Sequence, residues 1–477
     1  MTSRTDPSAH VDAVSLDSLP AWPLATSMTA ERDYVARVEG TIPPGLHGTL
    51  YRNGPGRFDR AGLRKNHLLD GDGMIQAITI EPDAVRYRNR FVRTRKYTEE
   101  SLANRFLYDT WSTRRPDADP TDPPAIENQA GVTVVHRNDT LYALDDGPGI
   151  YELDPVTLDT RGPAALDIPD AQPTLFTAHT RIDPADDSWT LVAGSGHHQH
   201  TITFDRHGRA ARQVVVPLPR PAWMHDFLMT ETHFVFVCHP LSIDQMRFVD
   251  WGWALWDSFD WRPDEGNLIV VADRHGQAPP QVFEAPTGFM WHGMNAFDRG
   301  AEIVVDYIGY TEPDHAFGPD PQLRAVMEGR SGNGDGPGTL RRVVLTPGRS
   351  ATTEEVLYAN CEFPQVPGRL SGRPYQRGFM ATTRPGEGVL PSGVARVDLD
   401  SGEVDKFQFD VDQYGVEPIY APDGDAGWLL TIVNDASIGA AHLAVFDAEH
   451  LAAGPVARVH LEHTTPFSFH GYWSPKP

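Results

Sequence analysis

An all-β fold, with many short strands closed into one body such as a β-propeller, is the architecture that this 477-residue chain predicts. Its 42 glycines and 41 prolines are spread along the whole length, which is typical of short strands joined by turns. More than twelve strand-like segments follow one another without a break in composition. Helical patterns are few and short, and a fixed-period repeat of the WD40 kind is absent from the sequence.

The strand-like segments follow a polar lead-in rich in Pro, Ser and Asp. We interpret residues 1–33 as an N-terminal arm and residues 34–477 as a single propeller domain. In chain order the segments are TLYRNGPGRF, AITIEPDAVRYRNRFVRT, TVVHRNDTLYALDD, WTLVAGSG, TITFDRHGRAARQVVVPL, HFVFVCHPL, NLIVVADRHG, AEIVVDYIGY, LRRVVLTPG, VARVDLDSGEVDKFQF, GWLLTIVND, HLAVFDAEH and VARVHLEH. TITFDRHGRAARQVVV and ARVDLDSGEVDKFQF are predicted hairpins because a glycine lies at each turn. SLANRFLYDTW and PDPQLRAVMEG are the two predicted short helices.

Four histidines lie in matching surroundings, each after an apolar or aromatic stretch: His179, His225, His292 and His470. A single buried histidine is usually a hydrogen-bonded core residue, because an unpaired buried polar group is costly. Four in similar settings instead predict a metal site, since neutral imidazole is a common ligand. The intervals between them are about one or several times the roughly 40–50 residues of a propeller blade. Inner strands of different blades therefore bring these histidines to one axis.

Composition excludes several classes of function. The formal net charge of −24 argues against a nucleic-acid partner, which needs a basic surface. The two cysteines, Cys238 and Cys361, lie outside any CxxC pair; a single disulfide and a reducing compartment are the two alternatives. The first twenty residues do not have the pattern of a signal peptide, and there is no run of about 18 apolar residues. We therefore expect a cytoplasmic protein; the sequence does not indicate its oligomeric state.

NHLLDGDGMIQAITI (66–80) and LYRNGPGRF before it resemble the signature of the carotenoid cleavage oxygenases. FTAHTRIDP, MHDFLMTE, HGMNAFDRG and FHGYW resemble that family's metal-ligand motifs, in the same order. EFPQVPGRLSGRP (362–374) and VEPIYAPDGDAGWLL (416–430) resemble its later blocks. The resemblance implies a seven-bladed propeller with a dome of short helices and loops over the metal face.

The resemblance also implies a non-haem Fe²⁺ ion held by His179, His225, His292 and His470. The reaction that the resemblance implies is O₂-dependent cleavage of a conjugated C=C bond of a hydrophobic small molecule into two carbonyl products. The family has three glutamates that orient the ligands from behind. Glu362 and Glu417 match two of them, whereas Asp146 stands at the third. Because aspartate is one methylene shorter, we expect its bond to need a shifted backbone or a water.

Two further positions depart from the family pattern and are expected to affect O₂ and substrate. Val132 stands where a threonine often faces the vacant iron position, so a methyl group is kept and a hydroxyl is lost. Asp145 stands where stilbene-cleaving members carry a lysine that binds a phenol. An acidic side chain repels a phenolate, so carotenoids or apocarotenoids are expected ahead of stilbenes.

Three other interpretations remain open. The retinoid isomerase of the visual cycle is similar in scaffold and ligands but does not cleave with O₂. A metal-stabilised propeller without turnover is another alternative. DWGWALWDSFDW (250–261) has four tryptophans, for which ordinary packing, a tunnel wall, or an apolar patch in transient membrane contact are the alternatives.

Overall fold

The computed structural model describes residues 11–12, 20–119, 122, 124–166, 168, 175–332, 336–424 and 426–476. Within them, short strands dominate and helices are few, so the predicted all-β class is confirmed. The two predicted hairpins are present as adjacent paired strands. Both cysteines are buried and free.

The described residues form thirty-six strands, which are named below in chain order in three groups of twelve. The first group is β1 (Val11–Asp12), β2 (Asp33–Gly40), β3 (Gly48–Arg57), β4 (Asp59–Arg60), β5 (Leu63–Arg64), β6 (Asp72–Ile80), β7 (Val85–Phe91), β8 (Thr133–Arg137), β9 (Thr140–Leu144), β10 (Gly147–Pro148), β11 (Tyr151–Leu153) and β12 (Thr160–Pro163). The second is β13 (Leu175–Ile182), β14 (Trp189–Ser195), β15 (His198–Phe204), β16 (Ala210–Pro217), β17 (Leu228–Met229), β18 (His233–Cys238), β19 (Leu241–Ile243), β20 (Phe259–Trp261), β21 (Asn267–Asp273), β22 (Gln281–Ala285), β23 (Phe289–Arg299) and β24 (Glu302–Tyr310). The third is β25 (Thr339–Leu345), β26 (Glu354–Ala359), β27 (Cys361–Gln365), β28 (Arg377–Thr382), β29 (Gly393–Asp398), β30 (Val404–Gln408), β31 (Gln413–Gly415), β32 (Ile419–Asp423), β33 (Ala426–Asp435), β34 (Ala440–Asp447), β35 (Ala457–His460) and β36 (His470–Pro475).

Antiparallel sheets of four or five strands form the blades of the propeller. Five of the described sheets are separate units: β12-β11-β9-β8, β10-β13-β14-β15-β16, β17-β18-β21-β22, β23-β24-β25-β26 and β27-β28-β29-β30. A ten-stranded sheet, β31-β33-β34-β35-β2-β7-β6-β3-β36 with β32 on β33, joins the two ends of the chain. The propeller is therefore confirmed with five separate blades, and the predicted number of seven stays a prediction.

Strands from opposite ends of the chain close the ring. In β2, Arg37–Gly40 pair with β35, while Asp33–Ala36 pair with β7. In β3, Asn53 pairs with His470 of β36. Strand β36 thus carries one of the four histidines into the sheet formed by the N-terminal strands.

Three α-helices are present in the described chain: α1 (Arg95–Ala103), α2 (Asp314–Phe317) and α3 (Gln322–Ala325). Short 3₁₀ or π segments are Trp22–Ala25, Leu68–Asp70, Met246–Asp250, Trp256–Ser258, Pro263–Glu265, Val326–Glu328, Gly368–Leu370 and Leu451–Ala453. The helix predicted over 101–111 is wrong in position. Thr94 caps the helix by accepting from the Tyr97 amide, and Asn104 ends it in the left-handed conformation. The predicted helix over 319–329 corresponds to α3 and the turn that follows.

The predicted arm of residues 1–33 lies partly outside the described residues. Its described end packs on the body, since Leu24 and Ala25 belong to the largest core cluster. The division at residue 33 stays a prediction. No described helix is long and apolar enough to cross a membrane.

Candidate metal centre

Four buried histidines from four parts of the chain meet in the interior. His179 lies in β13, His292 in β23 and His470 at the start of β36, whereas His225 lies in the irregular segment before β17. One ring nitrogen from each lies within 4.8 Å of those of the other three. The Nε2 atoms of His179 and His225 are 3.0 Å apart, and those of His292 and His470 are 3.2 Å apart.

Carboxylates behind three of the rings fix which nitrogen faces the centre. The Nδ1–H of His225 donates to Asp146 Oδ2 at 2.5 Å, that of His292 to Glu362 Oε2 at 2.6 Å and that of His470 to Glu417 Oε1 at 2.9 Å. The bond from His225 to Asp146 is direct, so no bridging water is needed at this position. Because an ionised carboxylate only accepts, each Nδ1 carries the hydrogen and each Nε2 presents a lone pair.

His179 differs from the other three. Its Nδ1 is 3.9 Å from Asp226 Oδ1, which is too long for a hydrogen bond. Asp226 instead accepts from Arg181 through both oxygens, at 2.8 and 2.7 Å. The orientation of His179 therefore comes from its strand and from ring contacts with His225 and His470, at centroid distances of 4.5 and 4.4 Å.

Burial keeps two of the imidazoles, those of His179 and His470, in the neutral form that binds metals. Loss of water holds the pKa of His179 and of His470 well below the usual value, and repulsion from the neighbouring histidines acts in the same direction. Facing lone pairs 3.2 Å apart repel one another unless a cation lies between them. This donor set fits a metal ion, because ring nitrogens about 2.1 Å from one ion at right angles lie about 3 Å apart.

The supporting carboxylates are themselves held by groups that the sequence did not single out. Tyr310 donates to Glu362 Oε1 at 3.0 Å. Glu417 accepts from Gln365 at 3.1 Å, from the Gly471 amide at 2.7 Å and from Arg52 at 3.1 Å. Burial raises the pKa of Glu417 to about 7, with the Arg52 charge opposing that shift. Arg52, Gln365 and Gly471 carried a sequence signal, because each lies inside a family motif, whereas Tyr310 lies in none of them.

An apolar cavity of about 60 Å³ adjoins one side of the histidines. Its walls, which define the apolar cavity below, are Leu69, Val132, His225, Trp291, His292, Tyr310, His315, Leu323, Glu362, Phe363, Val389, Leu390, Phe467, Phe469 and His470. His315 of α2 and Leu323 of α3 come from short helices. A larger and more polar cavity, of about 480 Å³, lies against His179, His292 and His470 and includes Arg181, Asp226 and Gln365.

The two residues predicted to affect substrate and O₂ have different positions. Val132 lines the apolar cavity together with the histidines. Asp145 is buried but is not among the described residues that line either cavity. Burial and the charge of Asp146 raise the pKa of Asp145 to about 7, while a hydrogen bond from Trp111 acts against the shift.

The tryptophan segment is divided between interior and surface. Trp256 is buried and packs on Trp291 and Phe317, with ring centroids 6.2 and 4.4 Å apart. Trp251 is 49% exposed, and Met246, which precedes the segment, is exposed as well. One half of the segment therefore packs behind the apolar cavity, and the other half faces outward.

The chain is similar to known proteins over nearly its whole length. The family model described as RPE65, retinal pigment epithelial membrane protein, matches residues 24–475. The apocarotenoid-15,15'-oxygenase of Synechocystis is 29% identical, with 94% of each chain covered. The isoeugenol monooxygenase of Pseudomonas nitroreducens is 26% identical over 92% of this chain and 94% of that protein. The structure of the cobalt-substituted Synechocystis oxygenase has a TM-score of 0.88 at 27% identity, covering 98% of this chain and all of that one.

Proposed function

The chain belongs to the RPE65 family, which includes the carotenoid cleavage oxygenases, and from this membership we propose that it is a non-haem Fe²⁺ dioxygenase. It cleaves a conjugated C=C bond of a carotenoid or apocarotenoid with O₂ and forms two carbonyl products. The observation that supports this most is the convergence of four histidine Nε2 atoms beside an apolar cavity. The name of the Synechocystis relative supports an apocarotenoid as substrate.

His179, His225, His292 and His470 would hold the iron, which supplies O₂ activation when bound. Asp146, Glu362 and Glu417 keep three of these rings in the tautomer that binds metal. No side chain has to act as nucleophile or general acid. Both atoms of O₂ end in the products, one on each former alkene carbon, so the overall reaction balances without a further reductant.

The apolar cavity, at about 60 Å³, has room only for the part of the substrate around the reacting bond, and its walls exclude water from that bond. Phe363 packs on His292 with ring centroids 5.1 Å apart, and Val132 places a branched apolar side chain on the same cavity. These apolar groups would contact the polyene beside the histidines. The substrate does not need to bind the metal itself.

Labelled oxygen provides the main test. Iron-loaded protein is incubated with an apocarotenal under ¹⁸O₂, and the products are analysed by mass spectrometry. We expect two carbonyl fragments, each with one ¹⁸O when exchange with water is kept short. An isomer of the substrate without label would support the retinoid-isomerase alternative. Bound zinc with no O₂ uptake for any polyene would support a non-catalytic metal-bound propeller.

A stilbene or phenylpropanoid double bond is the second candidate substrate. It is favoured by the likeness to an isoeugenol monooxygenase over nearly the whole chain. Asp145 stands where stilbene-cleaving members carry their phenol-binding lysine and lines neither cavity, so that cationic partner for a phenol is missing here. Resveratrol in the same assay separates the two substrate classes. If resveratrol is cleaved and the apocarotenal is not, a stilbene replaces the apocarotenoid as the preferred substrate.

We also propose that residues 34–477 form one seven-bladed domain. Strand β2 pairs through one half with β35 and through the other half with β7, so it marks a junction within the ten-stranded sheet. Division there gives two blades in addition to the five separate ones.

A further inference from the structure

His315 is a buried histidine that the proposed ligand set does not use. It lies in α2, is 2% exposed and lines the apolar cavity. Its ring stacks at a tilt on Tyr310, with centroids 4.3 Å apart. Burial lowers the pKa of His315 to about 4, so the ring is neutral at physiological pH.

Trp291 fixes the tautomer of this ring. The indole Nε1–H of Trp291 donates to Nε2 of His315 at 2.6 Å. Indole nitrogen is only a donor, so Nε2 must be the accepting nitrogen. The hydrogen of the neutral ring is therefore on Nδ1, which has no hydrogen-bond partner among the described residues.

The other polar side chains of the apolar cavity are already engaged. Tyr310 donates to Glu362, and three of the histidines donate to carboxylates. Among the described residues that line this cavity, His315 thus holds the one side-chain N–H without an acceptor. A buried donor without a partner destabilises the fold, and an oxygen atom of a ligand would satisfy it.

From this arrangement we infer that His315 determines specificity: its Nδ1–H donates a hydrogen bond to a hydroxyl, phenol or carbonyl oxygen of the substrate. The inference rests on the proposed function and adds that the alkene must carry such an oxygen. The centroids of His315 and Trp291 are 6.2 Å apart, and those of Trp291 and His225 are 5.1 Å apart. One aromatic ring, that of Trp291, therefore separates the proposed oxygen donor from the nearest proposed metal ligand, His225.

Binding without turnover tests the inference directly. Dissociation constants are measured for the iron-loaded protein without O₂, by quenching of tryptophan fluorescence. The probes are two matched pairs: 4-propenylphenol with propenylbenzene, and an apocarotenal with the corresponding hydrocarbon polyene. In the native protein we expect the oxygenated member of one pair to bind about tenfold more tightly than its partner, as one neutral hydrogen bond predicts.

Substitution shows whether His315 is the donor. His315→Phe keeps an aromatic ring and removes the N–H, so the tenfold preference is expected to disappear through weaker binding of the oxygenated member alone. His315→Asn keeps an N–H donor and is expected to retain part of the preference. His442→Phe is the matched control, because His442 is a partly buried histidine of β34 that does not line the apolar cavity.

Tighter binding of the phenol than of propenylbenzene would indicate a phenylpropenoid substrate. Tighter binding of the apocarotenal than of the hydrocarbon polyene would indicate an apocarotenoid substrate, and either result supports the inference. Equal binding within both pairs, or an unchanged preference in His315→Phe, would overturn it. If His315→Phe fails to fold, the native pairs and His315→Asn still decide. Cleavage of both members under ¹⁸O₂ with equal efficiency would refute this inference while leaving the proposed dioxygenase intact.

Discussion

At the scale of single residues, hydrogen bonds behind the imidazoles decide whether their near nitrogens attract a cation. Asp146 reaches His225 at 2.5 Å and also accepts from the Ala178 amide at 2.6 Å. The second bond anchors the carboxylate on β13, next to His179. A single aspartate therefore links two of the four histidines. The short side chain is no loss here, because both of its oxygens are used.

Removing this carboxylate should weaken metal retention. We expect Asp146→Ala to lower iron affinity about 10–100-fold, because His225 loses the acceptor that fixes its tautomer. A titration against a competing chelator measures the affinity. Asp83→Ala is the control, since Asp83 is exposed on a bend. Iron affinity in Asp146→Ala equal to that of the control would contradict a supporting role for Asp146.

Asp145, the neighbour of Asp146, should make stability depend on pH. Its pKa is about 7 in the fold, mainly through burial, and 3.8 in its ordinary state. The folded protein thus holds this proton where the unfolded chain has released it. Stability from this group is fully present below about pH 4 and is lost as the pH rises towards about 7.

Asp145→Asn should remove that dependence. A shift of one pKa unit corresponds to about 1.4 kcal/mol. Between about pH 4 and pH 7, the free energy of unfolding of the native protein should therefore fall by a few kcal/mol more than that of Asp145→Asn. Urea unfolding of metal-free protein across this range measures the difference. For the control Asp83→Asn, the free energy of unfolding should depend on pH as it does in the native protein. If the free energies of unfolding of Asp145→Asn and of the native protein change with pH in parallel, Asp145 is not protonated in the fold.

At the scale of strands, irregular pairing occurs next to three of the site residues. The register of β13 shifts between Phe176 and Thr180, on either side of His179. The register of β23 shifts on both sides of Gly293, next to His292. β27 shifts directly after Glu362, and Phe363 has a positive φ of 54°. Bulges change the direction of side chains, so these strands turn ring and carboxylate towards the axis.

Gly293 should be required for the bulge that carries His292. A Cβ at this position would lie 2.5 Å from Leu228 Cγ, which is buried in β17. We expect Gly293→Ala to cost about 1–3 kcal/mol of stability and to weaken metal binding by displacing His292.

A double-mutant cycle with Leu228→Ala isolates this contact. Because the second substitution removes the clashing atoms, the cost of Gly293→Ala should be smaller in the Leu228→Ala background. Denaturant unfolding and chelator titration measure the two effects. Additive losses would mean that the clash with Leu228 is not what excludes a side chain at position 293.

At the scale of the whole molecule, the sequence predicted the fold class and the family, because both depend on the type and order of residues along the chain. Distributed Gly and Pro and the alternating segments predicted an all-β propeller, and the ordered motifs predicted the family; both are confirmed. The start of α1 was missed because Thr94 caps it outside the apolar pattern. Tyr310 and His315 could not be predicted as partners of the site, since only strand pairing and the position of α2 bring them to Glu362 and Trp291.

Closure of the ring is the other property that appears only in three dimensions. Strand β2 joins β35 from the far end of the chain, and Gly40 lies at the end of this junction opposite Ala457. Gly40 has a φ of 82°, and a Cβ there would lie 2.3 Å from the Val456 carbonyl oxygen. Backbone cannot move aside as a side chain can, so a larger residue must separate the strands.

Gly40→Ala should therefore open the ring and destabilise the whole molecule. Gly439→Ala is the matched control, because Gly439 has a φ of 62° and a Cβ there would meet no described atom within 4 Å. The control should cost about 1–2 kcal/mol, the strain of a left-handed residue alone. Gly40→Ala should cost clearly more and also loosen the metal, since β36 with His470 belongs to the same ten-stranded sheet. Urea unfolding and chelator titration measure both losses, and equal losses in the two variants would show that the β2–β35 junction does not hold the ring closed.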